Sequence, residues 1–405
     1  MRNVVLVAPH ATPNTLRYVE ALCALPEVRP AVLSCDPLDR FPAALRARLA
    51  AHEQVRSCLE AAPLTEGTRR IAARIGAVDR LFGVLEQVQM AVAETRDRAG
   101  VPGMGAEVVR RFRDKSAMKE ALRAAGVPCA RHARVESAAD ARAFAEEVGW
   151  PLIIKPVDGL GTRSTWRLQG SEDLDRALQA LRPSPTQPAQ CEEFLTGTEH
   201  SFETVSIDGR PVWSSSTDYI PGPLEAMETP WIQYCVVLPR EDAALDRFRD
   251  VNHAALAALG MQTGLSHMEW FARADGSTAV NEVGARPPGV NIMPLMSLAH
   301  GTDFVHAWVR LMALDLFDPP QRRRAAGSAF LRGQGRGPRI TAVDGLDEAL
   351  RDLGPLVAEV KRPRPGQPRG SGYEGEGHVI VTADTTEDVM RALARIIRHV
   401  RVRLG

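Results

Sequence analysis

The first hundred residues alternate between short apolar runs and stretches with helical spacing. Residues 4–8 and 30–34 have strand-like patterns, and residues 14–25 between them have a helical pattern that begins after Pro13. This strand–helix–strand order predicts a parallel α/β sheet. Residues 81–99 predict one long helix that closes the region. No GxGxxG motif follows the first strand, so we do not expect a dinucleotide site there.

The middle of the chain mixes both patterns. The best-marked helix covers residues 114–125, with Asp114 as its N-cap and Gly126 and Pro128 as stop signals. The Pro-rich segment 182–190 predicts a joint between two subdomains. Further helices are expected at 138–148, 174–181, 242–259, 302–314 and 387–399, and further strands at 152–154, 165–168, 190–194, 203–207, 212–216 and 378–381.

Two apolar runs flank Asp275-Gly276, which is a strong signal for a two-residue hairpin turn. If this turn sets the register, Glu269 lies opposite Glu282, with Cβ atoms roughly 5 Å apart. Facing carboxylates repel each other unless a positive charge lies between them, and carboxylates are ligands of Mg²⁺. Arg286 should share their face, which predicts a site for a metal-bound phosphate. The alternative is an ordinary surface hairpin with solvated acids. A one-residue slip in the strand register would place the two acids on opposite faces of the hairpin.

Composition and charge narrow the class of protein. The chain has 405 residues, 44% apolar and 25% charged, with a formal net charge of zero. These values are ordinary for a folded soluble protein of two or three domains, and they argue against a nucleic-acid binder. We expect neither a membrane span nor a signal peptide. The six cysteines form no CxxC pair, so we expect no zinc site, no disulfide framework and a reduced, cytoplasmic setting.

Lysine is rare, since arginine supplies almost all the basic residues. The only lysines are Lys115, Lys119, Lys155 and Lys361. A compact ammonium group on a flexible stem is what nucleotide phosphates often contact. Lys155 ends a predicted strand and precedes Gly159 and Gly161, whose backbone N–H groups can approach an anion closely. We favour phosphate binding here over a plain hairpin tip, although the lysine precedes the glycines and the loop is therefore not a Walker A motif.

Taken in order, these features resemble the ATP-grasp superfamily of carboxylate–amine ligases, which includes biotin carboxylase and relatives in purine synthesis. A lysine at a helix start is followed by a lysine before a glycine loop, an EEFL strand, and an acidic hairpin that ends in ARPPG. The resemblance is good over residues 113–311 and looser before them. It implies a mixed α/β and α+β fold. The expected parts are an N-terminal Rossmann-like parallel α/β domain (1–105), two ATP-grasp subdomains (106–185 and 186–315) and a small C-terminal α+β region (316–405).

The resemblance also implies how ATP is held. Lys115 and Lys155 are similar to the two lysines that contact the ATP phosphates, and Glu199 is similar to the acid that binds the ribose hydroxyls. The flap over the phosphates would contain Gly159, Gly161, Thr162 and Ser164. The hinge strand whose backbone recognises adenine would contain Glu192, Glu193, Phe194 and Leu195, with Glu192 near the exocyclic amine.

The hairpin carries the implied metal site. Glu269 and Glu282 are similar to the ligands of Mg²⁺, for which Mn²⁺ could substitute. Arg286 is similar to the arginine that steadies the transferring phosphate, so it and Lys155 are the expected catalytic residues. Asn281 and Asn291 are close enough in sequence to assist.

One position departs from the family pattern. Many members have Glu-x-Asn-x-Arg where this chain has Gly284 between Glu282 and Arg286; the purine-synthesis relatives also lack that Asn. One metal ligand must then come from water, phosphate or another residue. Asn281 could be that other residue, although its side chain should point to the opposite face of a regular strand.

The implied activity is ATP- and Mg²⁺-dependent joining of a carboxylate to an amine through an acyl phosphate. The ARPPG segment favours the amino-acid ligase branch, so we expect small-molecule carboxylate and amine substrates, with an amino acid or peptide-like compound among them. The alternatives are a biotin-carboxylase-like use of bicarbonate, with a carrier protein as partner, and a non-catalytic ATP-binding module. Residues 218–239 could line an acceptor pocket or form a structural loop. A homodimer would match many relatives, and we expect no nucleic-acid or membrane partner.

Overall fold

A computed structural model describes residues 1–157, 165–229, 232–241, 243–370, 372 and 374–405, without the side chains of residues 243–245. The predicted flap residues Gly159, Gly161, Thr162 and Ser164 lie outside this part. Within the described ranges, no helix combines the length and the apolar character that crossing a membrane requires.

The N-terminal region is the predicted α/β domain. Its elements are β1 (Arg2–Val7), α1 (Pro13–Cys23), β2 (Val28–Ser34), α2 (Ala43–Arg46), β3 (Ala51–Gln54), α3 (Ala61–Ile75), β4 (Arg80–Gly83) and α4 (Gln89–Ala99), with 3₁₀ turns at Leu38–Arg40 and Glu86–Val88. The four strands form a parallel sheet in the order β3-β2-β1-β4. This confirms the parallel sheet that the alternating pattern predicts.

The prediction of one long helix over residues 81–99 is wrong. Its first residues form β4, in which Leu81 and Phe82 pair with Val5 and Leu6 of β1, and only the second half is helical. Both β4 side chains are 1% exposed. A short apolar run that is buried on both faces has no periodicity that separates a strand from a helix.

The next region contains a small antiparallel sheet. Its elements are α5 (Ala106–Arg113), α6 (Lys115–Ala124), β5 (His132–Val135), α7 (Ala138–Val148), β6 (Leu152–Pro156), β7 (Trp166–Leu168), α8 (Ser171–Leu181) and β8 (Ala189–Glu193). The strand order is β5-β8-β6-β7. The Asp114 carboxylate accepts hydrogen bonds from the N–H groups of Ser116 and Ala117 at 2.9 and 3.0 Å, which confirms the predicted cap and places Lys115 in the first turn of α6.

The remainder of the chain builds one large sheet and a smaller one. The elements are β9 (Thr198–Ile207), β10 (Arg210–Ile220), α9 (Pro223–Glu228), β11 (Tyr234–Leu238), α10 (Ala243–Leu259), β12 (Gly264–Ala272), β13 (Thr278–Gly284), α11 (Ile292–His300), α12 (Phe304–Leu314), β14 (Ala325–Leu331), β15 (Gly333–Gln334), β16 (Ile340–Asp344), α13 (Leu346–Leu353), a 3₁₀ turn (Gly354–Leu356), β17 (Val357–Lys361), β18 (Gly377–Ala383), α14 (Thr386–His399) and β19 (Arg401–Leu404). Eight strands pair in the order β13-β12-β9-β10-β11-β14-β18-β17, and three in the order β15-β19-β16. The large sheet continues across the boundary expected at residues 315 and 316, while the domain limits themselves remain a prediction.

A shared core fixes the N-terminal domain against the large sheet. Trp308 of α12 makes edge-to-face contacts with Tyr18 of α1 and Phe82 of β4, with both ring centroids at 5.4 Å. The same buried cluster includes Tyr234 and Phe330 of the large sheet. This packing holds the carboxyl edge of the N-terminal sheet close to the hairpin that carries the predicted metal ligands.

Candidate functional site

The β12–β13 hairpin places the two predicted metal ligands opposite each other. Glu269 pairs with Glu282, as the sequence predicts. Nearer the turn, however, Trp270 pairs with Val280, so a regular ladder would bring Glu269 opposite Asn281 instead. A β-bulge between these pairs restores the facing carboxylates. The predicted pairing is confirmed, but the predicted two-residue turn is wrong. The Arg273 N–H donates to the Ser277 carbonyl, which leaves three residues in the turn, and the bulge compensates for the resulting shift in register.

The same bulge changes the position of Asn281. Its side-chain amide donates to Glu199 at 3.4 Å and to Glu269 at 3.5 Å. Side chains at a bulge do not alternate strictly between the two faces of the sheet. The side chain of Asn281 can therefore point to the same face as Glu269. The expectation that Asn281 points away from the acids is therefore wrong.

A cavity of about 150 Å³ lies along this face. Lys155, Glu269, Glu282 and Arg286 all line it. Lys115 adds a direct contact, since its Nζ lies 3.1 Å from Oε1 of Glu282. Burial raises the pKa of Glu282, but the two lysines outweigh that effect and hold the pKa below its ordinary value. The structure thus brings together five of the residues singled out from the sequence.

A second ion-pair cluster lies beside the cavity. Glu192 accepts from Lys155 at 3.1 Å and lies 3.7 Å from Lys119 Nζ. Lys119, Glu192 and Lys155 are 1%, 3% and 8% exposed. Burial raises the pKa of Glu192, yet the two ammonium groups lower it to about 2. Sequence reasoning gave Lys119 no role, although its position four residues after Lys115 on α6 places both on one helix face.

Arg286 is held by a residue that the sequence analysis missed. Its Nε and Nη2 donate to one carboxylate oxygen of Glu86 at 2.9 and 2.6 Å. The other oxygen pairs with Arg113. Glu86 belongs to the 3₁₀ turn after β4, so the N-terminal domain orients the predicted catalytic arginine. No local pattern indicated this contact, because position 86 lies inside the stretch that was wrongly predicted to be helical.

His267 and Glu203 support Glu269 from within the sheet and were also missed. The ring nitrogens of His267 lie 2.8 Å from Glu203 and 3.8 Å from Glu269. Glu203 is fully buried and accepts a hydrogen bond from Ser201 at 2.7 Å. Burial lowers the pKa of His267, but hydrogen bonds to the two carboxylates raise it to about 9. A positive charge therefore stands next to Glu269.

The predicted adenine hinge has one free backbone donor. The N–H groups of Glu193 and Phe194 donate to the carbonyls of Arg131 and Pro151. Leu195 follows the strand, and its N–H finds no acceptor among the described residues. Adenine recognition at this hinge remains a prediction, and Leu195 is the position that can serve it.

Glu199 lies close to the acids of the hairpin, where Asn281 donates to it at 3.4 Å. Burial and then the neighbouring Glu269 raise its pKa well above the ordinary value. Its role toward ribose stays a prediction. Asn291 does not line the cavity; its amide donates to Ser328 Oγ at 3.0 Å.

The carboxylates fit a cation that arrives with phosphate. Among the described residues, no group of three or more His, Cys, Asp and Glu side chains is arranged to hold a metal ion. Glu269 and Glu282 nevertheless face one cavity with side chains 28% and 27% exposed. Mg²⁺ commonly uses one or two carboxylates and completes its shell with phosphate oxygens and water.

Comparison with known proteins supports the resemblance. Residues 114–202 match the family model described as the carbamoyl-phosphate synthase L chain, ATP binding domain. Over 100% of this chain and 99% of the other, the fold superposes on an L-amino acid ligase from Bacillus licheniformis with a TM-score of 0.77 and 18% identity. The chain is therefore similar to ATP-grasp proteins, in sequence over that segment and in fold over its whole length. This confirms the resemblance and the mixed fold predicted from the sequence.

The sequence relatives share about a quarter of their residues with this chain. An uncharacterized protein of Sinorhizobium fredii, y4rH, is 24% identical over 99% of this chain and 83% of its own length. The L-arginine-specific L-amino acid ligase of Bacillus subtilis is 26% identical over 54% of each chain. The match therefore spans about half the length of that ligase.

Lys119→Met tests the buried cluster, because it removes one of the two ammonium groups that neutralise Glu192. Near neutral pH we expect the substitution to lower the free energy of unfolding by about 3 kcal/mol. This is the low end of the range for a broken buried ion pair, because Lys155 still neutralises part of the charge of Glu192. The folded-state pKa of Glu192, about 2, lies below that of the unfolded chain, so this stabilisation is present above about pH 4.5 and is lost as the pH falls toward 2. Urea unfolding at a series of pH values should show the difference between variant and wild type shrinking over that range.

Lys361→Met is the matched control, because Lys361 is exposed. It should leave the free energy of unfolding unchanged at every pH. A Lys119→Met deficit that is the same at pH 7 and at low pH would contradict the assignment of Glu192 as its charged partner.

Proposed function

We propose that this protein is an ATP- and Mg²⁺-dependent ligase that activates a carboxylate as an acyl phosphate and joins it to an amine, with an amino acid among its substrates. The observation that carries the proposal is the convergence of three cations and two facing acids on one cavity. These residues are Lys115, Lys155, Arg286, Glu269 and Glu282.

The reaction needs activation because a carboxylate is a poor acceptor for an amine. Transfer of the γ-phosphoryl group of ATP to a carboxylate oxygen gives an acyl phosphate and ADP. The amine nitrogen then forms a C–N bond, and the C–O bond to phosphate breaks with its electron pair leaving on phosphate, which takes up the amine proton. Phosphoryl transfer depends mainly on positioning and charge neutralisation, so no protein nucleophile is required.

The cations have separate parts in this scheme. Nζ of Lys115 lies 3.1 Å from Glu282 and Nζ of Lys155 lies 3.1 Å from Glu192, beside the cavity, where both ammonium groups would contact phosphate oxygens. Arg286, held from behind by Glu86, would bind the transferring phosphoryl group. Glu269 and Glu282 would hold Mg²⁺, whose charge would neutralise the phosphates when it is bound.

The wall of the cavity limits access of water to the acyl phosphate. Tyr219, Pro223 and Tyr234 line it, and the two tyrosines are 7% and 0% exposed. All three belong to the segment 218–239, which supports the expectation that part of this segment lines an acceptor pocket. Excluding water matters because hydrolysis of the acyl phosphate would waste ATP without joining the substrates.

An amino acid as substrate is supported by two comparisons. The fold is shared along the whole chain with an L-amino acid ligase, and half the chain is similar in sequence to an arginine-specific one.

A substrate panel tests this proposal. Purified protein with ATP and Mg²⁺ is incubated with pairs of amino acids, with single amino acids, and with bicarbonate, and ADP release is followed together with the product mass. We expect ADP and a condensed product, one water lighter than its two substrates, in equal amounts for at least one pair. Tight ATP binding with no ADP above background for any pair would overturn the ligase proposal, and ADP release with bicarbonate alone would favour a carboxylase.

Glu282→Gln tests the metal assignment. Loss of one of the two facing carboxylates should lower turnover at least ~100-fold, the scale of losing one electrostatic group at a transferring phosphate. Binding of the adenine end should persist, as measured by calorimetry with ATP. The exposed Glu172→Gln is the control and should behave as wild type. Wild-type turnover by Glu282→Gln would show that the metal is held elsewhere.

A further inference from the structure

A second cavity, of about 460 Å³, opens directly beside the first. The two share Glu86, Arg286, Gly289 and Val290 as lining residues. A molecule in the second cavity can therefore reach the reacting atoms in the first without leaving the protein. The volume is within the range of sites that hold small molecules.

The position of this cavity in the fold is that of a ligand site. In the order β3-β2-β1-β4, the chain leaves β1 toward β2 on one side and later returns to β4 on the other side. Ligands of open parallel sheets bind outside the carboxyl ends of the strands at such a reversal. The cavity lies there, walled by α1, which follows β1, and by residues 84–87, which follow β4.

Two charged side chains of the cavity wall have no partner. Arg17 of α1 and Glu374 both line it and are exposed, and neither side chain makes an ion pair or hydrogen bond with the residues that the structure describes. Arg286, by contrast, is already paired with Glu86. Arg17 is thus a cation of this cavity whose charge is available to a ligand, and Asn14, one turn before it on α1, adds an amide to the same wall.

We propose that the second cavity binds the amine co-substrate and that this co-substrate carries a carboxylate, which Arg17 binds. This inference rests on the proposed ligase function. The amine must reach the acyl carbon, so its nitrogen has to face the boundary at Arg286 and Glu86. The carboxylate of an amino acid then stays inside the second cavity, where the Arg17 guanidinium can bind it with two parallel hydrogen bonds.

Glu374 adds a limit on the side chain of the co-substrate. Its carboxylate repels a second negative charge in the same cavity, while it attracts a cation. The cavity therefore favours amino acids with neutral or basic side chains over acidic ones. Arg17 selects for the α-carboxylate, and Glu374 selects against a further one.

The first experiment measures KM for an amino acid co-substrate and for the carboxamide of the same amino acid. Arg17→Gln should raise KM for the amino acid about tenfold, as expected for a lost hydrogen bond between charged groups, and should leave KM for the carboxamide close to that of wild type. Arg46→Gln is the matched control, because Arg46 is an exposed arginine of the same domain that does not line the cavity. An equal KM for the amino acid in all three proteins would overturn the proposal.

Calorimetric titration separates this proposal from the ligase function. The amino acid is added to the protein with Mg²⁺ and a non-hydrolysable ATP analogue, so that binding is measured without turnover. Weaker binding by Arg17→Gln than by Arg46→Gln supports the site even if the panel releases no ADP, in which case only the ligase function fails. Equal binding by both variants, or no binding to wild type, overturns the site while leaving any observed ligase activity standing.

Glu374→Gln tests the charge limit within the same assays. It should lower KM for an acidic amino acid several-fold and leave KM for a neutral one unchanged. An unchanged preference for neutral over acidic co-substrates would show that Glu374 does not select the side chain.

Discussion

Buried charge is the constraint on which this site depends. Lys115 and Lys119 lie on one face of α6, and their ammonium groups reach Glu282 of β13 and Glu192 of β8. Lys155 of β6 closes the set by pairing with Glu192. An unpaired charge at this depth would cost several kcal/mol of folding free energy. The fold therefore depends on the ion pairs that join α6 to β13 and β8. The ion pairs that stabilise the fold therefore also bring together the cations and acids that the proposed ATP chemistry would use.

Two further features complete the geometry, and neither is local. Without the bulge in β13, Glu269 would pair with Asn281. The bulge shifts the register by one residue, so that Glu269 pairs with Glu282. Glu86 reaches from the N-terminal domain to hold Arg286. The N-terminal domain thus contributes a side chain to the proposed reaction centre. The core of α1, β4 and α12, built on Trp308, keeps that domain in place.

The parts of the structure that sequence could predict are those with local signals. The Asp114 cap, the hairpin around Asp275-Gly276 and the parallel sheet of the first hundred residues each have signals a few positions apart, and the structure confirms these elements. The length of the turn was wrong, since three residues separate Arg273 from Ser277 where two were predicted. The order of lysines, glycine loop and acidic hairpin predicted the family. Features that depend on distant partners were missed, because no local pattern records a bulge or the ion pair between Glu86 and Arg286. The two-sided burial of β4 also removed the periodicity that would have distinguished it from a helix.

We propose that Glu269 and Glu282 hold the metal of a bound nucleotide. A crystal structure with Mn²⁺ and a non-hydrolysable ATP analogue is the decisive test, because anomalous scattering locates the metal without reference to the protein. We expect one or two manganese peaks coordinated by oxygens of both carboxylates and of the phosphates, with the adenine at Leu195. Manganese bound away from both glutamates, with the nucleotide in place, would contradict it.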